Sequence, residues 1–221
     1  RHPELLNGLN LLHSEEGMNA YMAAYGEMHM MKCRAALQNV PYDSLQGSIE
    51  IVDWGCGQGI GSMCAIESLE QHDKLMWLKK VTLVEPSPFT LQRAKENINC
   101  ATNGGITILS VNCYLPGDHS KNEVEGISYN MQNVIHVFSN ILDVSNVDLK
   151  RLANMVSTSG HKHYILCIGP VNYQSYRIDQ FCSIFGEQEL FSNIQDSAYG
   201  RTSDTYHIFT CKTKCVVYNG S

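Results

Sequence analysis

The spacing of apolar residues changes once along this chain. Over the first forty residues they recur every three or four positions, at Leu5, Leu6, Leu9 and Leu12, then at Tyr21, Tyr25, Met28 and Met31. That spacing lines one face of a helix. Ser14 suits an N-cap, Gly17 suits a break between two helices, and Pro41 with Asp43 marks a turn. From residue 49 onward, short β-branched runs alternate with helical spacing instead. Strands are expected at 49–54, 81–85, 106–111, 133–139 and 164–168, and helices at 60–69, 89–98, 147–156 and 175–185. Leu91, Ala94 and Ile98 form the buried side of the second of these helices. Two closing strands, 190–194 and 206–211, have no helix between them. Residues 112–132 should hold a crossover helix, yet they carry Pro116, Gly117, Gly126 and little apolar periodicity. An irregular crossover with at most one short helical turn is expected there.

Strands separated by helices imply right-handed crossovers and a mainly parallel sheet covered on both faces. The last two strands should pair antiparallel. The expected fold is therefore α/β: a doubly wound, mainly parallel seven-stranded sheet of Rossmann-like type with a C-terminal antiparallel hairpin. A helical extension, 1–46, precedes this domain, 47–221.

Composition narrows the function classes. With 221 residues, 43% hydrophobic and 17% charged, the chain reads as an ordinary globular protein with one substantial core. A net charge of −6 speaks against a surface built for long nucleic-acid duplexes. No apolar run approaches the roughly 20 residues that span a bilayer, so no membrane partner is expected. No signal peptide is visible, and a start at Arg1 rather than methionine suits a piece of a longer protein. The nine cysteines are scattered without a C-x-x-C pair, and Cys211 and Cys215 have no matching pair elsewhere. Reduced, buried thiols in the cytoplasm, and no metal site, are the expectation.

The candidate chemistry begins at Asp53-Trp54-Gly55-Cys56-Gly57-Gln58-Gly59-Ile60-Gly61, directly after the first strand and opening the first helix. Glycines there permit a sharp turn and close approach of a ligand to the backbone. Ligands of open parallel sheets bind outside the carboxyl ends of the strands, where this loop falls. A dinucleotide fingerprint would need glycine at position 60 or 62, where Ile60 and Ser62 stand. The second strand ends on Glu85, followed by Pro86-Ser87-Pro88. A carboxylate can accept hydrogen bonds from both hydroxyls of a ribose. Such an acid is expected to lack an internal partner until the ligand arrives.

The G-x-G-x-G loop preceded by Asp53, with Glu85 closing the next strand, resembles motif I and its acidic partner in class I S-adenosylmethionine-dependent methyltransferases. The resemblance runs from residue 49 onward and implies S-adenosyl-L-methionine as cofactor. It places Asp53, Gly55, Cys56, Gly57 and Gly59 around the loop, and Glu85 with Pro86 at the ribose. Asn112 or Cys113 then meets the adenine, and Ser139 lies beside the methyl group. The run Val84-Glu85-Pro86-Ser87-Pro88 also resembles ribosomal small-subunit methyltransferase-like proteins, although the cysteine cluster often seen in that group is not apparent.

Beyond the cofactor half the signals thin out. The fourth strand ends Ser139-Asn140-Ile141-Leu142-Asp143, without the proline pair of nucleic-acid amino-methyltransferases or the cysteine of cytosine-C5 enzymes. Ser139 and Asn140 suit orienting an acceptor and Asp143 suits taking a proton, but capping and turn roles account for the same residues. His136 reads as a packed core histidine. Segments 169–177 and 199–201 are polar, aromatic loops placed to meet a substrate. Tyr21, Tyr25 and His29 read first as core and second as a lid. The acceptor stays open among small molecule, RNA and protein. A catalytically silent scaffold and a nucleotide-dependent oxidoreductase are the competing functions.

Overall fold

A computed structural model describes residues 11–117, 120–186, 188–202 and 205–220. Helices α1 (Glu15–Tyr21) and α2 (Glu27–Leu37) precede β1 (Ile49–Trp54), α3 (Ile60–Gln71), β2 (Leu78–Val84), α4 (Pro88–Ala101) and β3 (Thr107–Val111). Then follow β4 (Asn133–Ser139), α5 (Leu149–Val156), β5 (Lys162–Pro170), α6 (Tyr176–Ile184), β6 (Gln188–Thr202) and β7 (Thr205–Asn219). The seven strands form one sheet in the order β3-β2-β1-β4-β5-β7-β6, parallel through β5 and antiparallel at β7 and β6. The expected layout is the observed one.

Side chains alternate across the sheet, and both faces are buried. Ile49 and Ile51 of β1, with Ile135, Val137, Tyr164 and Leu166, pack against Cys33, Ala36 and Leu37 of α2 and against α3 and α4. Val52 and Trp54, with Phe138, Ile165 and Cys167, pack against α5, α6 and the crossover residues Val124, Ile127 and Tyr129. Six consecutive buried residues in β1 are the mark of a central parallel strand. No helix among the described residues is long and apolar enough to cross a membrane.

Several expectations need correction. Ser14 does cap α1, its side chain accepting from Gly17 N, but Gly17 lies inside that helix and breaks nothing. The interruption is a π-helical turn at Met22–Gly26. Leu5, Leu6 and Leu9 lie outside the described residues, and buried Leu12 precedes the helix. β2 starts three residues early, because Lys80 masks the strand pattern while pairing, almost buried, with Glu50 at 3.0 Å. The closing strands are 15 residues each, far longer than expected. Their ladders run on through polar positions that carry no apolar alternation. Consequently Tyr199, Gly200 and Arg201 form part of β6, paired with Ile208, His207 and Tyr206, rather than a loop.

The crossover 112–132 is irregular, as its prolines and glycines imply, with no helical turn among its described residues. The sheet face beneath it is correspondingly polar. Thr82 Oγ1 donates to Glu50 Oε1 at 2.8 Å, and Lys80 Nζ donates to the crossover carbonyl of Ser128 at 3.1 Å. Beside them, Trp54 Nε1 donates to His136 Nδ1 at 3.1 Å, so the single proton of neutral His136 sits on Nε2. That proton is donated to His163 Nδ1 at 2.9 Å, and His163 Nε2–H ends the chain on Thr158 O at 3.0 Å. Tyr129 covers both rings edge-on, at 5.3 and 5.5 Å between centroids.

A proton added to either imidazole would face a donor already in place. Burial lowers the pKa of both rings, His136 the more strongly; His163 adds to the fall at His136, whereas at His163 the bond to Thr158 opposes it and His161 adds a smaller push downward. The sign follows directly. Above the ordinary value of 6.5 both states are neutral; below it the unfolded chain takes up protons that the fold refuses. Stability then falls by up to about 1.4 kcal/mol per pH unit for each ring. We expect the ring nitrogens of His136 to keep the Nε2–H tautomer from pH 8 to pH 5 in nitrogen-15 spectra, and those of His163 to keep it at neutral pH. Titration of either near 6.5 would mean the network is open to water.

Candidate functional site

The loop after β1 turns back on the sheet through Gly55 N and Cys56 N, which both donate to Val84 O, at 2.8 and 3.0 Å. Gly59 has φ +83 and caps α3, where a Cβ would lie 3.2 Å from Ala94 Cβ of α4. Gly57 differs. Its φ is +50, yet a Cβ there would meet nothing within 4 Å and would project into open space. Glycine at 59 serves helix packing, whereas glycine at 57 keeps a wall clear.

Two buried carboxylates anchor this wall. Asp53 Oδ2 accepts from Ser62 N at 2.9 Å and Ser62 Oγ at 2.8 Å, bracing the first turn of α3. Burial pushes its pKa up to about 6; the Ser62 bonds oppose the rise and Glu85 adds to it. Glu85 lies just past the end of β2. Its Oε2 accepts from Gly57 N and its Oε1 from Ser87 N, each at 3.0 Å. The expectation of a carboxylate without internal partners is therefore overturned, because the acid stitches two turns together. Burial raises its pKa as well, against the two N–H bonds.

The structure gathers most of the expected site residues around a cavity of about 480 Å³ at the carboxyl ends of the strands. Asp53, Gly55, Cys56, Gly57, Glu85 and Pro86 line one side, with Cys113, Ser139 and Asn140 continuing the wall. Three expected residues stand elsewhere. Gly59 packs against α4. Asn112 is exposed and spends its amide on Glu85 O at 3.0 Å and Pro86 O at 2.9 Å, so it holds the turn rather than facing the cavity. Asp143 is outside the lining and accepts from Asn172 Nδ2 at 3.2 Å. His136 is fully buried, as expected.

The cover of the cavity comes from the N-terminal segment, and sequence reasoning ranked it second. Leu12, Tyr21 and His29 line the cavity. Gln58 Nε2 donates to Met18 O at 3.0 Å, and Ser87 Oγ donates to Leu12 O at 2.7 Å, so both loops hold the cover down by its backbone. His29 Nε2 lies 3.2 Å from Tyr21 Oη, and His29 Nδ1 lies 2.8 Å from Asn140 Nδ2. The only signal in the sequence was polarity recurring at Tyr21 and His29 inside an otherwise apolar stripe. Burial, helped by nearby Lys32, lowers the His29 pKa to about 3 and keeps the ring neutral.

No protein-family model and no curated protein matches the chain. Solved structures do. A magnesium protoporphyrin IX methyltransferase from Synechocystis, with bound S-adenosylmethionine, superposes with a TM-score of 0.58 over 93% of this chain and 92% of its own, at 10% identity. The same enzyme with bound S-adenosylhomocysteine gives 0.55, over 93% and 95%, at 12% identity. A Pyrococcus horikoshii protein named as an RNA methyltransferase gives 0.54, over 84% and 83%, at 14% identity. At such identities the shared property is the fold: this chain has the Rossmann-like fold of class I methyltransferases.

Proposed function

We propose that this chain is an S-adenosylmethionine-dependent methyltransferase. The observation that carries the proposal is Gly57, whose missing Cβ opens the cavity while its N–H fixes a buried acid. The rest of the wall fits the same ligand. Each Glu85 oxygen retains a lone pair beyond its backbone bond, enough to accept the two hydroxyls of a ribose. Asp53 and Glu85 together make this side of the cavity acidic, which suits a cationic ligand. Cys113 packs beside the ligand's base, and Ser139 with Asn140 faces its reactive end. The similar Synechocystis enzyme, solved with that cofactor bound, supports the assignment.

The chemistry supplied by such a cofactor is an activated methyl on a sulfonium sulfur. The protein's part is then positional: holding the nucleophile in line with the methyl, with water excluded, supplies much of the rate. The cover made by α1 and α2 excludes that water. In this proposal residues 11–46 are the cap of the domain formed by 47–221. Nine free cysteines, with the Cys167 and Cys182 sulfurs 3.7 Å apart and unbonded, accord with a reducing, cytoplasmic setting.

The test is thermal unfolding with S-adenosylhomocysteine, S-adenosylmethionine and NAD in parallel. A ligand that binds only the folded state stabilises it by about 2.7 kcal/mol at a hundredfold excess over Kd. The two S-adenosyl compounds should raise Tm and NAD should not. An NAD response without an S-adenosyl response would replace the proposal with an oxidoreductase.

A further inference from the structure

The far wall of the cavity contains a chain of hydrogen bonds that the cofactor site does not need. Asn140, just past β4, has φ +56, uncommon for a residue with a side chain. In this conformation its amide nitrogen, which carries two hydrogens, meets two acceptors: Ser139 Oγ at 3.0 Å and His29 Nδ1 at 2.8 Å. A neutral imidazole that accepts at Nδ1 carries its proton on Nε2. His29 therefore donates to Tyr21 Oη at 3.2 Å, and the two rings lie parallel, 5.9 Å apart between centroids. The phenol's own proton is not used in that bond. The phenol lines the cavity, and among the described residues no acceptor stands within hydrogen-bonding reach of that proton.

Local structure is distorted to make this pair. Residues eight apart on an α-helix sit about 12 Å apart along its axis. The π-helical turn at Met22–Gly26 lies between Tyr21 and His29 and shortens that separation. Such turns are costly and recur at functional sites. Lys32, on the same helix as His29, is only 3% exposed, and its positive charge is felt at His29 and Cys33. The cavity thus has two characters, acidic at Asp53 and Glu85, and neutral and hydrogen-bond donating at Tyr21, whose phenol still feels the charge of Glu85.

We infer that the acceptor's nucleophile is an oxygen that enters already ionised, a carboxylate or phenolate, received by the Tyr21 hydroxyl. The inference rests on the methyltransferase assignment above. A neutral amine nitrogen has one lone pair, which the methyl takes, leaving nothing for a donor to bind. An anionic oxygen has lone pairs for both. One lone pair forms the C–O bond while the C–S bond breaks, and the electrons of the broken bond stay on sulfur. The oxygen's negative charge and the sulfonium's positive charge cancel, giving a neutral ester or ether and a neutral thioether. No proton is released. That agrees with a wall whose phenol has a pKa pushed up to about 12 and whose imidazole is a weak base. Tyr21 orients the nucleophile, with His29 and Asn140 as positioning residues behind it.

The experiment uses sinefungin, which carries an ammonium in place of the sulfonium and transfers nothing. Its complex with the protein is titrated with benzoate and with benzylamine, followed by saturation-transfer NMR. Benzoate should bind the wild-type complex in preference to benzylamine, and Tyr21→Phe should weaken benzoate by about tenfold while sinefungin affinity changes less than about threefold. Nitrogen-15 spectra should show His29 as the Nε2–H tautomer. Preference for benzylamine, no benzoate binding, unchanged benzoate affinity in Tyr21→Phe, or an Nδ1–H tautomer would each overturn the inference while leaving the methyltransferase assignment standing. Failure of sinefungin itself to bind would overturn both.

Discussion

Gly57→Val is expected to remove S-adenosylhomocysteine binding altogether while the protein stays folded. The loss should be at least about a thousandfold, or about 4.1 kcal/mol, the limit most calorimetric titrations can register. Two effects combine. The side chain would stand where nothing now lies within 4 Å, in the space the ligand needs. It would also hold a β-branched residue at φ +50, a left-handed conformation costing roughly 1–2 kcal/mol. That second cost lowers Tm without touching the core, so circular dichroism should stay native. Gly57→Ala separates the two effects, since it adds similar backbone strain with far less volume. Normal binding by a folded Gly57→Val variant would reduce the loop to a structural turn and remove the observation on which the assigned function rests.

Glu85→Ala should weaken S-adenosylhomocysteine about tenfold to hundredfold, the worth of hydrogen bonds to a charged group, roughly 1.5–3 kcal/mol. Because Glu85 also accepts from Gly57 N and Ser87 N, the free protein should lose stability too, by about 1–3 kcal/mol. A ligand lacking both ribose hydroxyls tells the two losses apart: it should bind wild type and variant about equally. Equal weakening of both ligands would mean that Glu85 acts through the loop alone. The pH profile gives an independent check. Burial pushes the Asp53 pKa up to about 6 and raises that of Glu85 as well, so as pH falls through about 6 Asp53 takes up a proton that a cationic ligand must expel, and Glu85 acts in the same direction. Affinity for S-adenosylmethionine should fall as pH drops through that window, by up to tenfold per unit for each group, and less steeply in Glu85→Ala.

What could be read from the chain divides along a physical line. Strands β1, β4 and β5 announce themselves because both of their faces are buried in apolar cores, and the bounds expected for β4 are those observed. The hairpin strands are held by backbone ladders rather than by side-chain burial at every step, so only parts of each stood out. Gly17 misled because a buried glycine inside a capped helix looks the same as a breaker. In the site, the glycine loop and Glu85 were legible because a ligand-binding turn needs contiguous residues in one order. The roles of Ser62 and Gln58 were not, and Tyr21 and His29 were read as a lid only second to core. Each acts only because the fold brings it near something distant, as Gln58 meets Met18 and His29 meets Asn140. Asn112 was assigned to the ligand because a polar residue at a strand end serves a turn and a ligand equally well on paper.

The two hydrogen bonds that fasten the N-terminal segment have a kinetic meaning. Gln58 and Ser87 grip Met18 and Leu12 by main-chain oxygens, so the clasp does not depend on which side chains those positions carry. Were ligand exchange to require that clasp to open, the clasp would be the same whichever S-adenosyl compound lay beneath it. Spent and fresh cofactor would then leave with similar residence times even where their equilibrium affinities differ, the difference appearing in how often each is captured. The slow event in a turnover cycle would be the lifting of a peptide flap rather than the breaking of a carbon–sulfur bond.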